Sequence, residues 1–427
     1  MQKAGLMATT GKRVLMLLEN YHFPGDGRVR REALTLTTAG YSVSVICQRK
    51  GKQPWVECYE AIHVYRYPKP PTAPGFWGYL AEYGYSLAAA LVLSLVVLVR
   101  RGFDVIHAHN PPDLYVLLAL LYRPLGKRFV YDHHDLAPEM YEVMYGGEGR
   151  PLLHQALLWF ERLSLRTADQ VITTSESYKQ LEMARAGLPA ERITVVRNGP
   201  EPQRIHPVAP DPTLRPPGCT LLGYVGDMGR HDGLDYLLRA LHHLVHTHHR
   251  TDFRCLIIGT GDMWDELQAL AAALQLTPYV HFTGWVNDET LLRYLASVDI
   301  CLDPDPRNAF SDRSSMIKMT EYMALGKPIV AFDLTEHRVT AQDAAIYARA
   351  NDEADFAGRI AELMDDPTER ARMGQVGRQR VENELAWPWQ EKHLLNAYAR
   401  LTDQQTTSTL SSTSQAGASI IHESHHR

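Results

Sequence analysis

Short apolar runs alternate with amphipathic stretches along most of the chain, and many of these runs lack polar alternation. In the first half, the runs that predict strands are Arg13–Asn20, Tyr41–Cys47, Ile62–Tyr67, Asp104–His109 and a run that begins at Arg128. Apolar strands separated by helices are typical of a parallel sheet that is covered on both faces. The pattern of the first half therefore predicts an α/β domain.

Prolines interrupt the alternation between Gly199 and Gly218, which predicts a stiff linker. A second series of strands and helices begins directly afterwards. We therefore predict two tandem Rossmann-like, doubly wound domains, at residues 1–199 and 219–386, joined by a linker at 200–218. Ligands of such sheets bind outside the carboxyl ends of the strands, so we expect the functional residues to line an interdomain cleft.

Composition excludes several classes of function. A net charge of -5 over 427 residues argues against nucleic acid as a partner. The five cysteines are scattered and form no C-x-x-C motif, which fits a reducing compartment and predicts a cytoplasmic protein. Residues 402–427 are rich in Ser, Thr, Gln and His, and this composition predicts a disordered tail.

One segment is apolar enough to raise the question of a membrane. Tyr83 to Val99 carries no charged residue and precedes Arg100 and Arg101. Spanning a bilayer would place the strands before and after this segment on opposite sides, although both read as strands of one sheet. We expect a long helix packed on that sheet. The alternative is a helix whose apolar face dips into the membrane surface, held there by the two arginines.

The stretch from Ser311 to Asp333 predicts a helix followed by a buried strand. Small polar residues at its start suit a helix cap, and Gly326 and Pro328 suit the end of the helix. Lys318 and Glu321 are three residues apart and share one helix face. Serines, an ammonium group and a carboxylate suit a ligand that carries phosphate and sugar hydroxyls. Taken alone, an ordinary surface helix with an ion pair fits better.

Histidines follow two of the predicted strands. His107 and His109 end one strand, and His133 and His134 end the next. A single histidine is usually structural, but four at strand ends facing one cleft favour a function, since imidazole exchanges protons near neutral pH and donates to hydroxyls.

Three further motifs are weaker. Asp303 and Asp305 resemble a metal-binding D-x-D, but a turn at the end of a strand is the favoured interpretation. Residues 422–426 match H-E-x-x-H by chance, because a tail supplies neither a rigid helix nor a third ligand. Gly259 and Gly261 lack the third glycine of a dinucleotide fingerprint. No metal and no cofactor are predicted.

Several motifs together resemble glycosyltransferase family 4. They are the Ser311–Asp333 stretch, VVRNGP at 195–200, GYVGDMGRHDGLDYLLRAL at 223–241, FTGWV at 282–286 and DHHDLAPE at 132–139. The resemblance covers nearly all of the chain before the tail. It implies a GT-B fold of two domains, and a retaining, metal-independent enzyme that uses a nucleotide sugar, often a UDP-sugar.

The resemblance also implies roles in donor binding. Glu321 matches the second acid of the family's E-x7-E motif, which binds the ribose. The first acid falls at Arg313, and Asp312 is the nearest substitute. The family's basic pair for the diphosphate falls at Asp227 and Asp232. We therefore expect free N–H groups at a helix start, together with two cations, to bind the diphosphate; these residues are Ser314, Ser315, Met316, Lys318 and Arg230. Gly284 and Trp285 match the loop that receives the base.

In the first domain, His134 or His133 matches the family's catalytic histidine beside the donor sugar. The expected acceptor side is formed by glycines of a turn, arginines of the following helix and residues at a strand end: Gly25, Gly27, Arg28, Arg31, His109 and Asn110. The arginines are expected to meet an anionic acceptor such as a lipid phosphate. Residues 387–401 match the segment that crosses back to the first domain.

These observations favour a retaining glycosyltransferase of hexosyl or N-acetylhexosaminyl type. The resemblance implies a sugar or a lipid-linked acceptor, as in surface polysaccharide or glycolipid synthesis, and a site of action in the cytoplasm or at the inner face of the membrane. Two alternatives stay open: a sugar-nucleotide epimerase of the same fold, and a non-catalytic partner that binds a nucleotide sugar. The missing acid and basic pair motivate the latter.

Overall fold

Two separate sheets organise the computed structural model, which describes residues 11–70, 76–146 and 149–401. The first sheet has eight strands in the order β3-β4-β2-β1-β5-β6-β7-β8, and β3 alone is antiparallel. Its elements are β1 Arg13–Leu17, α1 Gly27–Thr38, β2 Ser42–Gln48, β3 Val56–Tyr59, β4 Ile62–Tyr67, α2 Phe76–Arg100, β5 Val105–His109, α3 Val116–Tyr122, β6 Arg128–His133, α4 Ala137–Tyr145, α5 Pro151–Thr167, β7 Gln170–Thr173, α6 Glu176–Ala186 and β8 Ile193–Val195.

The second sheet has six parallel strands in the order β11-β10-β9-β12-β13-β14. Its elements are β9 Thr220–Val225, α7 Leu234–His246, β10 Phe253–Ile258, α8 Trp264–Ala273, β11 Val280–Gly284, α9 Asp288–Ser297, β12 Ile300–Asp303, α10 Ile317–Ala324, β13 Ile329–Phe332, α11 Thr335–Ala341, β14 Ala345–Ala348, α12 Glu353–Asp365 and α13 Pro367–Arg380. The order reverses between β9 and β12, as in a doubly wound nucleotide-binding sheet. The predicted fold of two tandem Rossmann-like domains is confirmed.

The chain returns to the first domain at its end. After a π-helical turn at Val381–Leu385, a helix over residues 387–401, here α14, packs against β1, β2 and α1 through Trp387, Leu394 and Tyr398. The Tyr398 hydroxyl lies 2.8 Å from Nδ1 of His107. The last residues described therefore tie the second domain to the first. The tail predicted at 402–427 lies outside the described residues.

The long apolar helix α2 lies on the first sheet. The strands before and after it in the chain, β4 and β5, belong to the same sheet. The helix α2 packs on that sheet, as the sequence predicts. Its sheet-facing positions are small, namely Ser86, Ala90, Ser94 and Val97, while larger apolar residues such as Val92, Leu95 and Val99 face outward. Leu80–Arg100 is long and apolar enough to cross a membrane by composition, with 22% of its most apolar window buried.

Candidate active-site cleft

A buried ion pair forms the floor of the cleft in the first domain. Arg28 donates from Nε and Nη2 to the two oxygens of Asp132, at 2.8 and 2.7 Å. Its Nη1 donates to Asn198 and to the carbonyl of Val196, both at 2.9 Å. Arg28 was expected to meet an acceptor, and this expectation is wrong, because its guanidinium is buried and already engaged with the protein.

Two histidines lie beside the same carboxylate. His109 Nδ1 is 2.8 Å from Asp132 Oδ2, and His134 Nδ1 is 3.6 Å from it. Burial lowers the pKa of His109. Burial also opposes protonation of His134, but the neighbouring Asp132 outweighs it and raises the pKa of His134. Of the two side chains His134 reaches solvent, at 12% exposure. It can therefore present an oriented imidazole to a sugar in the cleft.

Asn110 fixes the loop that carries His134. Its side-chain oxygen accepts hydrogen bonds from the backbone nitrogens of His134 and Asp135, at 2.8 and 3.1 Å, and its Nδ2 donates to the Asp135 carbonyl at 2.6 Å. Asn110 is buried. Asn110 therefore positions the loop. It was predicted to lie on the acceptor side, and from this buried position it can contribute to acceptor binding only indirectly, through the loop.

The other two histidines do not face the cleft. His133 points to the opposite face of the sheet from Asp132, as strand alternation requires, and its Nδ1 lies 2.8 Å from Glu182 Oε1. Glu182 and its neighbours outweigh the effect of burial and raise the pKa of His133 to about 9. His107 is enclosed between Tyr398 and Glu32. The expectation that four histidines face one cleft is therefore wrong for these two.

Lys318 is part of a buried cluster in the second domain. Its Nζ lies 2.8 and 3.0 Å from the two oxygens of Asp305 and 3.4 Å from Asp303 Oδ1. Burial and the charge of Asp303 raise the pKa of Asp305. The cluster lies at the carboxyl end of β12, where the strand order reverses. Lys318 was expected as a free cation for a diphosphate, but the structure pairs it with two carboxylates of its own domain.

The helix predicted in the Ser311–Asp333 stretch also starts differently from the prediction. The helix α10 begins at Ile317 and follows Met316, whose side chain is not a capping group. The Ser314 amide donates to Phe310 and Ser311 carbonyls, both at 3.2 Å, so it is not a free N–H group. Asp312 was expected to replace the missing first acid. Instead, both of its oxygens accept from Thr335, at 3.0 Å each, and cap α11.

Glu321 lies in the cleft beside an arginine of the linker. Its Oε1 accepts a hydrogen bond of 2.7 Å from Nη1 of Arg204, which also forms an ion pair with Asp288. Burial raises the pKa of Glu321, against the opposing charges of Arg204 and Arg31. Arg31 lies on α1, so residues of both domains and of the linker influence this carboxylate.

The remaining predicted donor residues lie at the carboxyl edge of the second sheet. Gly284 ends β11 with φ 74°, and Trp285 follows it on the surface. Ser315 and Met316 precede α10 and are partly buried. Arg230 is 71% exposed, and its ion-pair partner is Glu266 of α8, at 3.9 Å. The prediction that Arg230 assists Ser315 and Met316 is not supported by this placement.

On the acceptor side, the two glycines flank the start of α1. A Cβ atom on Gly25 would meet the far edge of the His22 ring at 2.4 Å, so a side chain there would displace that ring. Gly27 is the first residue of α1, and a Cβ atom there would lie 3.5 Å from Nη1 of Arg31. Asp26 caps the helix by accepting from the Val29 amide at 2.9 Å.

Contacts between the domains close one side of the cleft. The Tyr178 hydroxyl lies 2.8 Å from Oγ of Ser314, and Ser175 donates to the Arg313 carbonyl at 3.1 Å. Glu336 accepts from the Ser177 hydroxyl at 2.6 Å and pairs with Arg197 at 3.4 Å. These contacts set the relative position of α6 and the segment before α10, and thereby the width of the cleft.

Two buried groups carry the donor atoms of a metal site. Asp303, Asp305 and His337 form one, and the other consists of Glu32, His107, His109 and Asp132; within each group the donor atoms lie within 4.8 Å of one another. Each already contains a resident cation, Lys318 in the first and Arg28 in the second. These cations compensate much of the negative charge that would attract a metal ion. Metal independence stays a prediction.

A cavity of about 600 Å³ opens elsewhere, between β8, α6 and α14. Charged residues such as Lys179, Glu191 and Arg400 line it. Neither His134 nor Glu321 lines it.

Sequence reasoning missed several residues of the cleft. Asp132 is the one acid of the buried strand β6, and a lone acid in a buried strand is a signal that could have identified it. Arg204 and Glu336 gave no such signal, since one lies in the proline-rich linker and the other in a short helix that was not predicted.

The comparisons with known proteins agree with this architecture. A profile described as "Glycosyl transferase 4-like domain" matches residues 27–199, and one described as "Glycosyl transferases group 1" matches residues 219–366. An uncharacterized glycosyltransferase of Methanocaldococcus jannaschii is 24% identical over 87% of this chain and 91% of its own length.

Solved structures share the fold. Sucrose-phosphate synthase from Thermosynechococcus elongatus superposes with a TM-score of 0.77 at 18% identity, covering 92% of this chain and 100% of that one. Anabaena HepE in complex with UDP-glucose superposes with a TM-score of 0.67 at 17% identity, covering 91% of this chain and 99% of that one.

Proposed function

Since the chain belongs to the family 4-type glycosyltransferases, we propose that it transfers a hexosyl or N-acetylhexosaminyl group from a UDP-sugar, with retention and without a metal, to a lipid-linked acceptor. What supports this proposal is that each domain contributes one of the two residues expected to bind the donor, His134 and Glu321. His134 directly follows β6 in the first domain, and Glu321 lies on α10 of the second. A donor held by both domains would have its glycosyl bond between them.

Glu321 supports the assignment of the donor side. A buried carboxylate with a single arginine on one oxygen can accept further hydrogen bonds, and the two hydroxyls of a ribose supply them. The choice of UDP is supported by the structure of HepE, which was determined with UDP-glucose. We place the base near Gly284 and Trp285, at the carboxyl end of β11.

His134 supports the assignment of the sugar position. Asp132 outweighs the effect of burial and raises the pKa of His134, and a ring N–H of the imidazole can donate to a sugar hydroxyl. During transfer the bond from the anomeric carbon to the diphosphate breaks, and the diphosphate leaves with the electron pair. The acceptor hydroxyl forms the new bond, and its proton passes to an oxygen of the departing diphosphate. Closing the cleft excludes water and so limits hydrolysis.

An apolar surface of the first domain supports a membrane location for the acceptor, at the inner face. The outward residues of α2 are joined by exposed leucines of α3 and its end, namely Leu117, Leu120, Leu121 and Leu125. Arg100, Arg101 and Arg123 are exposed at one end of this surface. Apolar side chains flanked by arginines suit the boundary between acyl chains and anionic headgroups.

The proposal is tested by screening UDP-, GDP- and ADP-sugars for thermal stabilisation, followed by measuring release of the nucleoside diphosphate with and without a lipid-linked acceptor. We expect UDP-sugars to stabilise the protein and release to require the acceptor. Interconversion of the free donor would instead identify an epimerase, and binding without turnover would identify a non-catalytic partner.

A further inference from the structure

Arg31 is a buried arginine whose hydrogen-bonding groups are largely unused. Its side chain is 9% exposed, and its Nη1 lies 3.8 Å from Glu201, too far for a hydrogen bond. Its guanidinium carbon lies 5.1 Å from the centre of the Trp387 ring. Among the residues that the structure describes, its Nε has no hydrogen-bond partner. A guanidinium has five N–H donors, and leaving them unpaired in a buried place is costly.

The neighbouring arginines of α1 do not share this property. Arg28 is fully engaged with Asp132, Asn198 and the Val196 carbonyl. Arg30 binds Glu201 at 2.5 Å and so occupies the carboxylate nearest to Arg31. Burial lowers the pKa of Arg31 to about 10, which still leaves it charged at neutral pH. Arg31 is therefore a buried cation that can bind an anionic ligand.

Its position places that anion in the cleft. Arg31 is near enough to Glu321 for its charge to lower the pKa of that carboxyl. Arg204 binds Glu321 at 2.7 Å and Asp288 at 3.0 Å. Its side chain is 34% exposed and that of Asp288 is 63% exposed, so a phosphate can replace Asp288, whereas the carboxylate partner of Lys318 is buried. Gly27 presents no side chain toward Nη1 of Arg31. Nη1 of Arg31 lies 3.8 Å from the carboxylate of Glu201, and the Glu201 carbonyl accepts a hydrogen bond of 3.0 Å from the Arg204 amide. The chain at Glu201 therefore links the guanidinium of α1 to the linker arginine that binds Glu321.

The loop between β9 and α7 offers the opposite charge. Asp227 and Asp232 stand where the family resemblance implies a basic pair, and Oδ2 of Asp232 accepts from the Gly229 amide at 2.9 Å. Asp305 and Asp303 lie nearby, and the charge of Asp232 raises the pKa of Asp305. A diphosphate beside these carboxylates would be repelled, so compensating cations must come from another element.

We propose that Arg31 and Arg204 form the phosphate subsite of the cleft and bind the diphosphate of the donor in place of the loop between β9 and α7. The inference rests on the proposed function, which supplies a nucleotide sugar as donor. Arginine pairs with phosphate through two parallel hydrogen bonds, which the free N–H groups of Arg31 allow. Arg204 would at the same time orient Glu321 toward the ribose.

The test is isothermal titration of the full chain with UDP and with uridine. We expect Arg31→Gln and Arg204→Gln each to weaken UDP binding about ten- to a hundredfold, as for the loss of a hydrogen-bonded ion pair. Uridine affinity should be unchanged in Arg31→Gln, because uridine carries no phosphate. Arg349→Gln is the matched control, since Arg349 is 75% exposed and pairs with Asp352.

The outcomes separate the subsite from the proposed function. If both variants retain their affinity for UDP, the inference is overturned, but glycosyl transfer still stands. If in addition the KM for a phosphorylated acceptor is raised, the two arginines bind that acceptor instead of the donor. A wild-type chain that binds none of UDP, GDP and ADP overturns both. Because Arg31 is buried, its variant is compared with wild type by circular dichroism, and the partly exposed Arg204 supplies the second variant.

Discussion

Nζ of Lys318 lies 2.8 Å from Oδ1 of Asp305, inside the second domain. The lysine belongs to the first turn of α10 and the aspartate follows β12, so the pair links a helix to the strand beside the point where the sheet order reverses. Lys318, which the sequence predicted to bind a diphosphate, thus pairs with two carboxylates of the protein itself.

Replacing Lys318 with Ala should destabilise the fold. Removing the ammonium leaves Asp303 and Asp305 buried without their cation, and breaking such a pair costs about 3–5 kcal/mol. Urea unfolding measures the loss, and adding Asp305→Asn to the same chain should recover part of it, because one buried charge is removed. Unchanged stability together with lost turnover would instead indicate that Lys318 binds the donor.

Stability should fall between neutral and alkaline pH because of His133. Its pKa is about 9 in the folded chain and about 6.5 in an unfolded one. A raised folded-state pKa contributes stability that is complete below about pH 6.5 and is lost as the pH rises through about 9. The loss is on the order of 3 kcal/mol. Urea unfolding at pH 6, 7, 8 and 9 measures it.

The partner residue provides the control for this pH dependence. Glu182→Gln removes the carboxylate that lies 2.8 Å from His133. The variant should be less stable at pH 6 and should lose less stability up to pH 9. An equal slope in both proteins would show that other groups cause the pH dependence.

Glu321→Gln should weaken nucleoside binding. The carboxylate accepts charge-assisted hydrogen bonds from hydroxyls, and the loss of one is worth about 1.5–3 kcal/mol. Titration with uridine should therefore show a drop of at least about tenfold. Glu289→Gln, an exposed acid on α9, is the comparison; equal affinities of the two variants would remove Glu321 from the ribose site.

Val92→Asp should reduce binding to anionic vesicles. Val92 is exposed on α2, and burying a valine in an apolar phase is worth about 1.5 kcal/mol or more. We expect at least about tenfold weaker co-sedimentation with phosphatidylglycerol vesicles. Val56→Asp makes the same change at an exposed position of the edge strand β3 and should have no effect. Equal vesicle binding by the two variants would argue against a membrane-binding role for the apolar surface of α2.

The elements were largely predictable, and their exceptions have a physical reason. Strands such as Ile62–Tyr67 were identified by apolar runs bounded by turn residues. The edge strand Val56–Tyr59 was not, because it is short and mostly exposed and carries little apolar pattern. The helix start at Ile317 was misplaced, since the small polar residues before it form turns and contacts with the first domain rather than a cap.

The candidate site was predictable only in part. Local patterns place His134 after a strand and Glu321 on a helix, whereas their expected roles came from the family resemblance. The side chains of His133 and His134 are adjacent in sequence, yet one faces Glu182 and the other Asp132. Alternation along a strand separates such neighbours, but which face meets the cleft depends on how the helices cover the sheet.

By itself, the sequence determined the two α/β domains, the linker between them, and the strand ends and helix where the functional residues lie. Periodicity of apolar residues and the positions of proline and glycine carry that information locally. Only the tertiary structure decided the partner of each charge. Arg28 meets Asp132 across 104 residues, and Arg204 meets Glu321 across 117. Such pairs form because folding buries both groups in one place, where an unpaired charge is too costly to remain.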